Sequence, residues 1–417
     1  MTTAPLNLIS DAKDLQALAK KLSKAKEIAF DTEFIRESTF YPKLEILQIA
    51  TEDEAWLIDM HAFQEKGRSK AELKPLIDVF VDPNILKVVH AAHGDQECLL
   101  SAMGILATPI FDTAVGASLC GLGDHIGLGN LLKSLLGIEH PKGYARTNWA
   151  KRPLPKPVLE YAILDVKHLI AVAHALFDRL DQAQRRDWAL DLSSKFCDRN
   201  LYEVPPEEIT KRLAQSGKFN VKDYGVLLAL VRWREARVRE LNVPRRWLAD
   251  DGVLIDLTKI KPTTIEQLQG FRGLSKGEHK SPNAERILKA VHAGLSGEIE
   301  TPSDIKRRNV LQPTASENRA MDLLRVCLTL LSEEYQLASK HIVQPNHILP
   351  LLRLKAKSFA DLEASGLVSP QLGEKGMRAL YSFLKGDQGL ILTGGSVRLF
   401  SRADARAQKP ADDTTTG

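Results

Sequence analysis

Strand-forming sequence lies almost wholly before residue 113 of this 417-residue chain, and that limit constrains the fold more than any other feature. Residues 27–34, 44–50, 55–59, 85–89 and 110–112 are short apolar or β-branched runs bounded by polar or turn-forming residues. Helical patterns fall between them, as at 97–103, and later take over. Residues 158–180 read as one long helix entered through the proline-rich 153–157, because proline suits a first helical turn whose N–H groups are unpaired anyway. An α/β unit followed by helical ones is therefore expected.

The length predicts two or three domains. Residues 1–200 read as the α/β unit, and Pro205-Pro206 suggests a linker at 201–215. A helical unit spans 216–297, a polar linker with Pro302 and Pro313 spans 298–315, a second helical unit spans 316–400, and 401–417 reads as a disordered tail. Aligning 261–268 with 355–362 sets Leu254 opposite Ile348 and Leu257 opposite Leu351, an internal repeat.

Composition excludes several classes. Apolar residues make up 44% and charged residues 26%, enough to build packed cores. The net charge of +4 is too small to identify a polyanionic partner. Cys98, Cys120, Cys197 and Cys327 show neither a disulfide framework nor zinc-ligand spacing. No apolar run is long enough for a membrane span and no secretory leader is evident, so the cytoplasm is the expected location and a monomer the expected state. There is no P-loop, and Gly121-Leu-Gly-Asp-His-Ile-Gly127 reads as a helix stop and start, not a dinucleotide loop. His90, His93, His125 and His140 are read as structural or surface residues.

The chemistry is concentrated in acids. In Phe30-Asp31-Thr32-Glu33-Phe34 two carboxylates sit two apart on a strand and so face the same way. Such a pair repels unless a cation lies between them or one is protonated, and oxygen-only ligands suit magnesium or manganese. Asp95 follows the 85–89 strand at its carboxyl end, where open α/β sheets bind ligands. Tyr161 and Asp165 lie one turn apart on one helix face. Each also has a plainer reading: an acidic solvent face for Asp31 and Glu33, a helix cap for Asp95, a solvated position for Asp165.

Taken in order, D-x-E, D and Y-x-x-x-D resemble the DEDDy subgroup of the DnaQ-like 3′-to-5′ exonucleases. With Tyr41-Pro42, residues 44–48, the 90–95 segment, Arg146-x-x-Trp149 and Arg152-Pro-Leu154, residues 20–180 are similar to the ribonuclease D family. Two departures are Pro141-Lys-Gly-Tyr144, where relatives often carry an Asp-Lys-Ser type segment, and Asn148, where aspartate is common. The resemblance implies an RNase H-like mixed sheet flanked by helices and hydrolysis with two divalent ions. Asp31 would bridge both ions, Glu33 and Asp165 would hold the water-activating one, Asp95 would serve the second, and Tyr161 would orient the water. It also implies exoribonuclease action on tRNA precursors, releasing 5′-monophosphates; a DNA exonuclease and an inactive RNA-binding protein are the alternatives.

Residues 224–295 resemble the HRDC domain, a helical nucleic-acid-binding module, on Leu230-Val-Arg-Trp-Arg-Glu235, Val243-Pro-Arg-Arg-Trp247, Lys261-Pro-Thr263 and Gly270-Phe-Arg-Gly273. Arg245, Arg246 and Trp247 combine phosphate-binding donors with a stacking surface and form the candidate RNA patch. Arg232, Arg234, Arg237 and Arg239 are too dispersed to line one narrow face. The second helical unit is expected to be a divergent HRDC-like copy.

Overall fold

The structure, a computed structural model, describes residues 8–64, 70–141, 143–144, 147–216, 219–269, 271–280, 282–301 and 312–401. Six strands form one sheet: β1 (Leu8–Ile9), β2 (Glu27–Ile35), β3 (Lys43–Ala50), β4 (Ala55–Asp59), β5 (Leu86–Val89) and β6 (Ile110–Asp112). They lie in the order β1-β4-β3-β2-β5-β6, with β2–β3 and β3–β4 antiparallel and the other pairs parallel. The five expected strands are present, and the two-residue β1 is the sixth member of this sheet.

Alternation along β2 divides the molecule. Ile28 and Phe30 point into a core with helix Ala12–Leu22, helix Lys74–Val81 and Leu99, whereas Ala29 faces Val88, Phe111 and Val172 on the other side. Asp31 and Glu33 continue the Ala29 face.

The long helix expected over 158–180 is two helices, Lys156–Lys167 and Leu169–Gln182, broken at His168 (φ −111°, ψ 5°). The halves serve different cores. Val158, Leu159 and Ala162 pack on Ile46 and Leu57, whereas Val172, Ala173 and Leu176 pack beneath β2 and β5. Periodicity shows which residues are apolar but not where the axis turns.

The expected linker at 201–215 is corrected by helix Pro206–Ser216, which Pro206 opens. Its Ile209, Leu213 and Ala214 enter the first helical unit's core beside Leu227, Leu230, Leu254 and Val291. The expected linker at 298–315 falls largely outside the described residues; of the expected tail at 401–417, Ser401 instead ends a strand and the remainder lies outside the described residues.

The repeat is visible in the backbone. Helices Val221–Leu241 and Ala315–Tyr335 each open with a capping box, Asn220 with Asp223 and Thr314 with Glu317. Each ends on a left-handed residue, Asn242 (φ 50°) and Gln336 (φ 48°). Lys261 (φ 51°) and Lys355 (φ 45°) end a second matching pair of helices, and the same interval of 94 residues separates both pairs. The second unit also carries a hairpin that the sequence reading missed, β7 (Gln388–Thr393) with β8 (Ser396–Ser401), turned by Gly394 and Gly395 at positive φ.

The copies attach differently. The first encloses its own core, against which Phe40 of the exonuclease region packs; Asn242 Oδ1 accepts the backbone N–H groups of Phe40 and Tyr41, each at 3.1 Å. Leu324, Leu328 and Leu331 of the second are continuous with the α/β core. There Arg185 donates to the carbonyls of Leu119, Tyr335 and Gln336, and the backbones of Gly121 and Gln336 meet so closely that a Cβ on Gly121 would lie 2.6 Å from a main-chain carbon. All four cysteines are free.

Candidate active site

Three elements bring the acids together. β2 supplies Asp31 and Glu33, both half-buried, and helix Lys156–Lys167 supplies buried Asp165 across from them. One carboxylate oxygen from each of Asp31, Glu33 and Asp165 lies within 4.8 Å of the others. Thr32, pointing to the opposite side, donates from Oγ1 to Asp95 Oδ1 at 2.5 Å. Asp95 is buried on helix His93–Met103, outside the trio but close enough for its charge to act on Glu33.

Longer-range contacts aim these elements. Asp112, at the end of β6, accepts the backbone N–H groups of Ala91, Ala92 and Ala114. This fixes the turn in which Ala91 is left-handed (φ 61°) and so sets where Asp95 emerges. The helix bearing Tyr161 and Asp165 is held at its entrance by Arg152. Its guanidinium grips both carboxylate oxygens of Asp59 at 2.6 and 2.9 Å and the carbonyl of Trp149 at 2.6 Å.

The electrostatics follow from gathering acids in a poorly hydrated place. Glu33 is pushed up to about 9, first by burial and then by Asp31, Asp165 and Asp95. Burial likewise raises Asp31, Asp95 and Asp165 above the ordinary carboxylate range, with Asp31 adding to the shift at both Asp95 and Asp165. The Tyr161 phenol is raised as well, by burial and then by Asp165, Glu33 and Asp31. A site of this kind takes up either protons or cations, and an all-oxygen donor set fits a hard divalent ion.

His140, set aside in the sequence, belongs here. Its side chain is nearly buried, with Nε2 3.0 Å from Asp165 Oδ1 at an angle that makes no hydrogen bond. Its ring meets the Tyr161 ring edge-on at 5.3 Å, and Tyr144 packs on Tyr161 at 5.4 Å. No local signal singles it out, since a loop brings it in from before Arg152. Arg146 lies outside the described residues.

The candidate RNA patch lies on the short helix Arg245–Leu248 of the first helical unit. Arg245 makes a bidentate pair with buried Glu235, both bonds 2.7 Å, and lies over the Phe40 ring. Arg246 is exposed, and Trp247 is 50% exposed. Four further arginines of this unit are engaged internally: Arg232 with Glu207, Arg234 with Glu235 and Asp251, Arg237 with Glu278, and Arg239 with Glu235.

A family profile described as 3′-5′ exonuclease matches residues 6–181, and one described as HRDC domain matches 223–291. Ribonuclease D of Sphingobium indicum is 35% identical over 362 residues, spanning 85% of this chain and 90% of that protein. The chain belongs to the ribonuclease D family. Ribonuclease D of Bartonella henselae is 33% identical over 344 residues, 82% of each chain. The crystal structure of Escherichia coli RNase D, 23% identical, covers 92% of this chain and 99% of that one with a TM-score of 0.70, a match of the whole fold. As a ribonuclease D this enzyme is a hydrolytic 3′-5′ exoribonuclease, and nucleic acid is its substrate. No described helix is long and apolar enough to cross a membrane.

Proposed function

We propose that the enzyme trims the 3′ ends of structured RNA, above all tRNA precursors, and releases nucleoside 5′-monophosphates by hydrolysis with two divalent ions, Mg²⁺ or Mn²⁺. The observation that supports this is the convergence of Asp31, Glu33 and Asp165 oxygens within 4.8 Å, with Tyr161 one helical turn from Asp165. Asp31, facing both neighbours, would be shared between the ions; Glu33 and Asp165 would hold the one that activates water, and Asp95 would serve the other. Ions held there would supply Lewis-acid chemistry, making a bound water more acidic and neutralising the leaving oxygen. Tyr161 then acts as a protonated phenol that orients the water, because its raised pKa makes it a poor base.

Arg246 and Trp247 are assigned to RNA, one as a phosphate-binding cation and the other as a stacking face. Arg245 supports them from its pair with Glu235. The enzyme works as a cytoplasmic monomer, with residues 216–297 as its binding module.

The test is a time course on 3′-labelled tRNA precursor and a DNA of the same sequence, with Mg²⁺ and then with EDTA. Mononucleotide release from the RNA alone, stopped by EDTA, supports the reading. Equal attack on DNA makes it a general exonuclease, and cleavage that survives EDTA overturns the metal assignment.

A further inference from the structure

β3 reads as a plain apolar strand, yet Gln48 lies within it, fully buried. Neither its carboxamide oxygen nor its nitrogen has a hydrogen-bond partner. A buried amide left unpaired on both atoms costs free energy that leucine at the same place would not. The protein keeps it in a core whose neighbours, Ile46, Leu47, Ile49 and Ala50, are all apolar and buried.

Its location bears on the acids. In the β2–β3 ladder Gln48 is directly opposite Asp31, and in the β3–β4 ladder it is opposite Leu57. Side chains opposite one another in antiparallel strands project from the same face with Cβ atoms roughly 5 Å apart. Ile46 and Leu57, which flank Gln48 on this face, pack against Val158, Leu159 and Ala162 of the helix that carries Tyr161 and Asp165. Gln48 is therefore under that helix, level with Asp31. The Asp31 carboxylate receives the backbone N–H of Thr32 and no side-chain donor among the described residues. An acceptor short of a donor thus faces a donor without an acceptor.

We propose that Gln48 is a positioning residue of the metal site: its carboxamide N–H donates to the Asp31 carboxylate when that group is ionised against a divalent cation, holding it in the orientation that ligation requires. The proposal rests on the reading of Asp31 as a metal ligand. Groups that orient a metal ligand in this way typically alter metal affinity by about 10–100-fold. A residue present only for packing has no such effect, and here its replacement by an apolar side chain relieves an unpaired group.

Two properties should therefore move in opposite directions in Gln48→Leu, with Gln48→Met as a second variant should leucine fail to fold. Mn²⁺ binding to the full-length, metal-free protein is measured by the loss of the free-ion electron paramagnetic resonance signal, and thermal unfolding is measured without metal. The expected result is a metal-free variant at least as stable as the parent, Mn²⁺ binding weakened at least about 10-fold, and a lower kcat with KM for RNA unchanged. Parental Mn²⁺ affinity in a folded variant overturns the proposal, as does weakened binding that appears only together with lost stability. Failure of the parent itself to bind Mn²⁺ overturns the underlying metal reading, and this proposal with it.

Discussion

His140 Nε2 lies 3.0 Å from Asp165 Oδ1, and the same ring supports Tyr161 edge-on, so one side chain braces both functional groups of the last motif. His140→Ala should lower kcat roughly 10-fold while RNA binding and melting temperature are retained. His140→Gln, which restores a nitrogen near the same place, should recover part of the rate. A change confined to KM would show that the histidine contacts substrate instead.

Asp31→Asn should reduce cleavage to background. It removes a charge that disfavours ionisation of Glu33, Asp95 and Asp165, so the metal-free variant should melt no lower than the parent at pH 8. Thermal unfolding beside a single-turnover assay separates loss of chemistry from loss of fold.

Tyr161→Phe should slow single-turnover hydrolysis by about 10²-fold, the low end for a group that handles a proton, because the raised phenol acts as a donor throughout the neutral range. RNA affinity, followed by filter binding in Ca²⁺, should be unchanged.

The acid cluster gives the metal-free enzyme a pH-dependent stability of predictable sign. Carboxyls raised in the fold bind protons that the unfolded chain has already released, so ΔG of unfolding falls as pH rises from about 4, their unfolded range, to about 9, where Glu33 titrates. The melting temperature without metal should therefore decline between pH 5 and 9. Mg²⁺ should raise it most at the alkaline end, and a metal-free profile flat across that window would contradict the raised carboxyls.

Removing residues 312–401 should be far more damaging than disturbing the first helical unit's attachment. The excision uncovers the α/β core where Leu324, Leu328 and Leu331 join it and strips two of the three carbonyl partners of Arg185, those of Tyr335 and Gln336. The truncated protein should aggregate or melt at least about 10 °C lower, since buried leucines lost singly cost 2–5 kcal/mol each. Asn242→Ala, which frees only two N–H groups near the surface, should shift melting by a few degrees at most.

Local spacing carried the acids: alternation put Asp31 and Glu33 on one face, and one helical turn joined Tyr161 to Asp165. His140 and Gln48 were illegible for the same reason, since a loop and a cross-strand register decide what they face. The Pro205-Pro206 pair misled because proline both breaks chains and starts helices, and Ile209 and Leu213 were the overlooked helical signal. The hairpin had a readable mark, Gly394-Gly395 between two β-prone runs, the pattern that a tight two-residue turn favours. The 94-residue repeat was detectable because matched leucines and capping residues survive where overall similarity does not.

The junction at Arg185 also bears on biosynthesis. Val172, Leu176 and the Arg185 guanidinium are made well before Tyr335, Gln336 and the leucines that cover them. A chain emerging from its amino end holds an incomplete interior until residues 324–380 have been added. The acid cluster is therefore assembled early on a scaffold finished late, and a polypeptide cut short by a nonsense codon after the first helical unit leaves an open core for proteases to find.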